Sequence, residues 1–323
     1  MVFAITSCSP STPAVEPTPE PTAVTLQLSW IHEYSSSVFH SAERNGHFAE
    51  QGLNVTLVEA GFTEAGFIDP IQEVLDGKAD FALSDSASLI QARAAGKPVV
   101  AIASVLQRSP LAVISLAENG ITRPQDLAAH TISVADGGAL AVYNTLLHTQ
   151  DIDSATVNTV PRASFGVDPL TSGEVDGMVA WVINEGVAVQ ELGFDPQYIL
   201  MSDYGVDMYD FVLFTTETMI EQKPDIVRAV VAAVRAGAKD VVDDPVQAIK
   251  HTLTYNSELV EADQLRRLEA TIPFINVPGR DLGSMDAEVW QFTHDFLLQQ
   301  GLLAEAIALD EVYTLEFFAD EAG

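Results

Sequence analysis

One stretch of the chain occurs twice, and that repetition restricts the fold more than any other feature. VLDGKADFALSDSAS, residues 74–88, returns in altered form as LTSGEVDGMVAWVIN, residues 170–184. Gly77 and Gly173 stand 96 positions apart, as do Asp80 and Asp176. In each copy a helical segment ends on glycine, an aspartate follows three residues later, and an apolar run then delivers a polar or aromatic tip. Glycine readily adopts the left-handed backbone that closes a helix. Upstream of each copy lies a further helix-strand unit, SAERNGHFAEQGLNVTLVEAG in the first half and AVYNTLLHTQDIDSATVNTVP in the second. The matched order predicts two similar α/β lobes facing a cleft.

Local patterns fill in the lobes. VTLQLSW alternates apolar and polar residues as a half-buried strand does. SSSVFHSAERNGHFAEQG opens with serine caps and closes on glycine, which predicts a helix. Strand LNVTLVEA, helix DPIQEVLDGKA, strand DFALSD, helix SASLIQARAAGK and buried strand PVVAIASVL follow. RPQDLAAHTISVADGGALAVYNTLL begins the second lobe as a helix, a strand and a second helix opened by Gly137 and Gly138. After Tyr209 comes strand FVLFTTETMI, then long amphipathic helices expected to pack back on the first lobe. Lobe 1 thus comprises 24–108 plus 210–323 and lobe 2 comprises 109–209. The two crossings near Ser109-Pro110 and Tyr204-Gly205 form a hinge pair.

Charge and composition exclude several classes of function. The chain of 323 residues suits two domains, and its 46 acidic against 15 basic residues give a formal charge of -31. Such a surface repels nucleic-acid phosphates and anionic lipid heads, so neither is expected as a partner. No apolar run is long enough to cross a bilayer as a helix. The seven histidines form no H-x-x-x-H or H-E-x-x-H pattern, and the one cysteine is Cys8. No metal, no cofactor and no intrachain disulfide are therefore expected. No G-x-S-x-G elbow occurs and no Ser/His/Asp set can be assembled from spacing, so no catalytic residue is assigned.

The N-terminus has its own logic. Residues 1–8 end in Ile5-Thr6-Ser7-Cys8, which resembles a bacterial lipobox, although a basic leader and most of an apolar core segment are missing. Residues 9–23 are rich in Pro, Thr, Ser and Glu, a composition that favours an extended, solvated tether. The expectation is a truncated lipoprotein signal, lipidation at Cys8, and an extracytoplasmic domain anchored to the bacterial membrane.

Several stretches together resemble a known family. LSWIHEYSSSVFHSAERNGHFAEQGLNVTLVEAG carries Gly46, Phe48, Glu50, Gly52, Leu53 and Val55 in a G-x-F-x-E-x-G-L-x-V pattern. It is followed by LDGKADFALSD, ADGGA and DYGVDMYDFVLFTTETMIEQKPDIVRAVVAA. From Val24 to about Asn276 the chain is similar to the NMT1/THI5-like solute-binding proteins of ABC importers. The resemblance implies a type II periplasmic-binding-protein fold that closes on a small solute and hands it to a permease and an ATPase. The family holds binders of thiamine pyrimidine precursors and riboflavin, relatives that bind sulfonates or nitrate, and pyrimidine synthases. The synthases depend on a cysteine-rich motif and iron, and this chain has no cysteine beyond Cys8.

The tips expected at the cleft are SWIHEY, SDSAS, ADGGA, WVINEG and DYGVDMYD, and none contains lysine or arginine. A sulfonate or nitrate would find only helix N-termini there. A planar neutral heterocycle, riboflavin or a pyrimidine precursor, fits better. Trp30, Tyr34, Trp181, Tyr204 and Tyr209 offer ring faces, and Glu33, Asp85, Asn184 and Glu185 offer hydrogen bonds. His32, Ser84, Ser86, Gly137 and Gly138 complete the candidate set. Each also has a plainer role: Trp30 as core, His32 and Tyr34 as interface, Glu33 beside a helix start, Ser84 to Ser86 as caps, the glycines as a turn, the tyrosines as hinge packing. A monomer is expected. Labelled palmitate should enter the wild-type protein and be lost in Cys8→Ser; incorporation that survives the substitution rules the anchor out.

Overall fold

A computed structural model of the chain describes residues 20–318 other than 65, 163 and 165. Cys8 and the tether up to residue 19 lie outside the described residues. The strands are β1 (Thr22–Gln27), β2 (Leu53–Val58), β3 (Phe62–Thr63), β4 (Gly66–Phe67), β5 (Phe81–Ser84) and β6 (Val99–Ser104). They continue as β7 (Leu111–Leu116), β8 (Thr131–Val134), β9 (Asn158–Pro161), β10 (Gly177–Trp181), β11 (Pro196–Leu200) and β12 (Val212–Thr216). The first sheet has the order β2-β1-β5-β12-β6 and the second the order β9-β8-β10-β7-β11, while β3 and β4 form a separate hairpin.

The two sheets match strand for strand. In the first, β2, β1 and β5 are parallel and β12 runs against β5 and β6. In the second, β9, β8 and β10 are parallel and β7 runs against β10 and β11. The repeated aspartates explain part of the match. The Asp80 carboxylate accepts the Thr25 N–H at 2.8 Å, and the Asp80 N–H donates to the Thr25 carbonyl at 2.9 Å. Asp176 makes the same pair of bonds with Thr131, at 2.8 and 2.9 Å. Each aspartate thus ties the end of one helix-strand turn to the neighbouring parallel strand, and Gly77 and Gly173 precede them with φ of 70° and 75°.

Helices cover both faces of the first sheet, so β6 is buried throughout and reads as an unbroken apolar run, VVAIAS. The chain passes between the sheets twice, from β6 to β7 and from β11 to β12. These crossings are bonded to each other: the Ser109 N–H donates to Asp207 Oδ1 at 2.8 Å, and Arg108 donates to Ser202 and Asp203.

Four expectations need adjustment. Strand β1 starts inside the expected tether, because Thr22 and Ala23 already pair with Leu53 and Asn54. The helix after Trp30 is a short turn at Tyr34–Ser36 and two helices, Ser37–Arg44 and His47–Glu50, divided at Gly46 by a φ of 85°. Pro124–Leu127 is a single tight turn rather than a helix; Ala129, at φ 68°, redirects the chain into β8 at once. Helix Pro224–Asp243 packs on Ser37–Arg44 of the first lobe, but helix Glu261–Ile275 touches both the Tyr34–Ser36 turn and the Val182–Gly186 turn of the second lobe.

The contact between helices Ser37–Arg44 and Pro224–Asp243 depends on Gly237. A Cβ there would stand 2.3 Å from the Val38 carbonyl oxygen and 2.8 Å from the Ala42 side chain. On an open helix Gly→Ala is stabilising; here it forces two backbones apart. Gly237→Ala is expected to lower stability by about 1–3 kcal/mol, the usual cost of overpacking, read as a lower midpoint in denaturant.

Candidate ligand cleft

The parallel strands of both sheets end toward the crossings, which is where ligands enter sheets of this type. Below the end of β5 lies a cavity of about 400 Å³ lined by Ser29, Phe67, Asp69, Leu83, Ser84, Asp85, Ser88 and Asp210, among others. Its apolar wall is aromatic. The Phe67 ring stacks on Trp30 with centroids 6.0 Å apart and planes at 24°, and Phe62 meets Trp30 edge-on at 6.1 Å. All three rings are exposed, Phe62 by 79%.

The carboxyl groups of this cavity differ in what they already do. Asp69 caps helix Pro70–Leu75 by accepting the Ile71 N–H at 2.9 Å. Asp85 caps helix Ser86–Ala94 by accepting the Ser88 N–H at 2.8 Å, and takes the Ser88 hydroxyl at 2.7 Å. Asp210 caps nothing: its Oδ2 is sealed from solvent and has no hydrogen-bond partner among the described residues. Burial raises its carboxyl to about 7; a hydrogen bond from Ser109 opposes this, and the charges of Asp85 and Asp207 add to it. Asp207, in the crossing, is likewise raised by burial to about 6.

The facing wall is built from the second lobe and helix Glu261–Ile275. The Tyr34 hydroxyl donates to Asn184 Oδ1 at 2.6 Å, and the Tyr34 N–H donates to Gln264 Oε1 at 2.8 Å. Arg267 reaches Asn184 at 3.3 Å and pairs with Asp263 at 2.9 Å. Glu185 accepts from Arg162 at 2.8 Å and from the Trp181 N–H at 3.2 Å, and the Trp181 ring meets Phe211 edge-on at 5.9 Å. A second cavity of about 450 Å³ is lined by Asn184, Glu185, Arg267, Asp168 and Val167. Burial raises the Glu33 carboxyl, and its bond from Ser35 and the nearby Arg267 pull it back down.

Ser84 and Asp85 therefore line one cavity, with Trp30 stacked on its Phe67 wall, and Asn184 and Glu185 line another. Gly137 and Gly138 are exposed at the start of helix Gly138–Thr149, with open space around them. The remaining candidates are occupied elsewhere. Ser86 and Tyr209 are core residues: the Ser86 N–H donates to the Tyr209 carbonyl, the Tyr209 N–H returns a bond to Ser86 Oγ, and the Tyr209 ring packs beside Trp290. Tyr34 is buried and its hydroxyl is spent on the Asn184 bond between the lobes. Tyr204 packs half-buried against an apolar cluster. His32 turns away to a bond with His40, Nδ1 to Nε2 at 2.9 Å, and both imidazoles stack on Tyr255. His40 in turn meets the Thr252 hydroxyl at 3.0 Å.

Cations also stand closer to the cleft than its tips imply. Arg162 and Arg267 come from outside the five tip stretches, and each is paired with a carboxylate. Asp210 and Phe67 escaped sequence reasoning in different ways: Asp210 ends a candidate stretch whose tyrosines drew attention first, and Phe67 sits in GFTEAGFIDP, which shows no strand or helix period.

The family model described as NMT1/THI5 like matches residues 35–248. The formylaminopyrimidine-binding protein of Halalkalibacterium halodurans is 28% identical over 97% of this chain and 95% of its own length. The riboflavin-binding protein RibY of Chloroflexus aurantiacus is 25% identical over 98% and 95%. A Legionella pneumophila protein named as a 4-amino-5-hydroxymethyl-2-methylpyrimidine phosphate synthase is 20% identical over 92% of each. Among solved structures, the periplasmic sulfonate-binding protein SsuA of Methylobacillus flagellatus KT aligns with a TM-score of 0.69 at 17% identity, covering 93% of this chain and 94% of its own. At that identity the likeness concerns the fold, the two-lobed α/β fold of periplasmic binding proteins.

His40 offers a pH test of the cleft's backing. Burial, with smaller contributions from His32, Arg44 and His251, lowers its imidazole to about 3, so between pH 6.5 and 3 the unfolded chain binds the proton and the folded chain does not. Stability should fall as pH drops through this window, by about 2–3 kcal/mol at pH 4.5. Denaturant titrations of His40→Gln should show a correspondingly shallower dependence.

Proposed function

The chain belongs to the NMT1/THI5 like family, and we propose that it is the extracytoplasmic substrate-binding component of an ABC importer, carrying a planar heterocyclic vitamin or precursor. The leading ligands are riboflavin and a thiamine pyrimidine precursor. The observation that carries this reading is the cavity of about 400 Å³ in which an aromatic wall, Phe67 backed by Trp30, stands over hydrogen-bond acceptors at Ser84, Asp85 and Asp210. A flat ring is held there by its faces on the aromatic side chains and by its N–H, amine or hydroxyl groups on the carboxyl groups. The names of two relatives, a formylaminopyrimidine binder and a riboflavin binder, support the same ligand class.

Capture follows from the architecture. Two crossings join the lobes, so a small rotation about them closes one wall on the other and encloses the ring. Partner permease and ATPase subunits would then receive the ligand from the closed form. Cys8 would anchor the protein to the membrane through the tether, and the protein would act as a monomer. Sulfonate or nitrate binding is the second ligand reading, favoured by the fold of the sulfonate-binding protein. Against it, Arg162 and Arg267 already hold Glu185 and Asp263, and the first cavity is acidic.

Binding without catalysis is also part of the reading. Of the cavity's acidic residues, Asp69 and Asp85 are occupied as helix caps, and the chain's single cysteine is Cys8. A synthase-like activity would need a positioned set of reactive groups. Riboflavin or an aminopyrimidine should quench tryptophan fluorescence, and Trp30→Ala should weaken binding by about 1 kcal/mol or more, as loss of an aromatic anchor does. Binding of taurine or nitrate instead, with neither ring compound bound, would overturn the ligand assignment.

A further inference from the structure

We propose that Asp210 is the specificity-determining residue of the cavity beside Phe67: it accepts a hydrogen bond from an amine or amidine nitrogen on the edge of the ligand ring and turns away rings with a negative group at that edge. This rests on the ring-binding reading above and deepens it.

Folding accounts for the other two carboxyl groups that line the cavity. Asp69 and Asp85 each begin a helix and satisfy its free N–H groups, a role worth about 1 kcal/mol of stability per cap. Asp210 caps no helix; it takes one hydrogen bond from Ser109 of the first crossing, which leaves its second oxygen unused. It immediately precedes Phe211, just ahead of β12, in the second crossing, where an apolar residue or asparagine would spare the chain an enclosed carboxyl. Its Oδ2 lacks a partner, and buried unpartnered acceptors are rare because their desolvation is uncompensated. A residue that costs folding stability and lines a cavity is accounted for by what the cavity holds.

Chemistry then narrows the occupant. Asp85 and Asp207 stand close enough to Asp210 to raise its carboxyl further, and among the described residues no lysine or arginine lines the cavity. A phosphate, sulfonate or carboxylate placed there would meet the same repulsion. An N–H donor relieves it, and an amine on a ring that also carries a proton relieves it most. Phe67 and Trp30 supply the face of the ring, and Asp210 reads its edge.

The test compares two probes, 4-amino-2-methylpyrimidine and its 4-dimethylamino analogue, in which two methyl groups replace the two N–H donors, by calorimetry with the full chain, with riboflavin as a third ring ligand. Wild-type protein is expected to prefer the amine by about tenfold or more, the usual effect of leaving a buried charged acceptor unpaired. Asp210→Leu should lose that preference and bind both pyrimidines alike. Asp210→Asn, which keeps the shape and an acceptor, should keep a reduced preference and confirms that the cavity survives substitution. An equal affinity of wild type for the two pyrimidines, or a preference that persists undiminished in Asp210→Leu, overturns the proposal while binding of any ring leaves the functional reading standing. If wild type binds none of the three rings, both fail together.

Discussion

Each sheet of this protein is completed by a strand that the chain delivers only after it has crossed from the other lobe. β7 enters the second sheet directly from the first crossing, and β12 enters the first sheet directly from the second. Neither lobe can therefore finish its sheet alone, and the two crossings must lie side by side. The bonds from Ser109 to Asp207 and from Arg108 to Ser202 and Asp203 hold them there. Everything at the cleft follows from this arrangement. The parallel strand ends point to the crossings, the walls face each other, and the segment between β11 and β12 holds Asp207 in the crossing and brings Asp210 to the wall of the first cavity.

Helix Glu261–Ile275 adds a second kind of connection. It supplies Gln264 to the backbone of Tyr34 in the first lobe and Arg267 to Asn184 in the second, next to the Tyr34–Asn184 bond. A two-lobed receptor must hold its lobes in register without welding them. Side-chain hydrogen bonds of this type contribute about 1 kcal/mol each, which is little enough for a ligand to outweigh when it favours one lobe arrangement. Within the first lobe, by contrast, the contact of Gly237 with the Val38 backbone leaves no room for adjustment.

Much of this could be read from the chain. Gly77, Gly173, Asp80 and Asp176 announced the repeat because helix closure and the clamp on a neighbouring strand need those residue types in any context. Trp30, Ser84 and Asp85 stand at strand ends, and the end of a parallel strand is a cleft position by topology. The candidates that failed to reach the cleft share a different property. Ser86 and Tyr209 each have a polar group that finds a partner far away in sequence, Thr293 for the Ser86 hydroxyl and the Asp286 N–H for the Tyr209 hydroxyl, and the His32 imidazole is taken by His40. A one-dimensional pattern records that a side chain can hydrogen-bond but not which partner claims it first.

The same division describes the protein as a whole. Periodicity, glycine caps and the repeated aspartates determined the two-lobed α/β plan, because local backbone geometry and strand burial depend on neighbours a few residues away. The tertiary structure alone decided which acids are idle. Asp69, Asp85 and Asp210 are the same residue type in the sequence, and only packing turns the first two into helix caps and leaves the third enclosed, with one oxygen unused and its carboxyl raised toward neutrality. Likewise Arg162 and Arg267 are remote in sequence from the cleft tips, and only folding brings their charges to Glu185 and Asn184. Electrostatics acts through space over a few ångströms, so its outcome is settled by who is adjacent after the chain has folded.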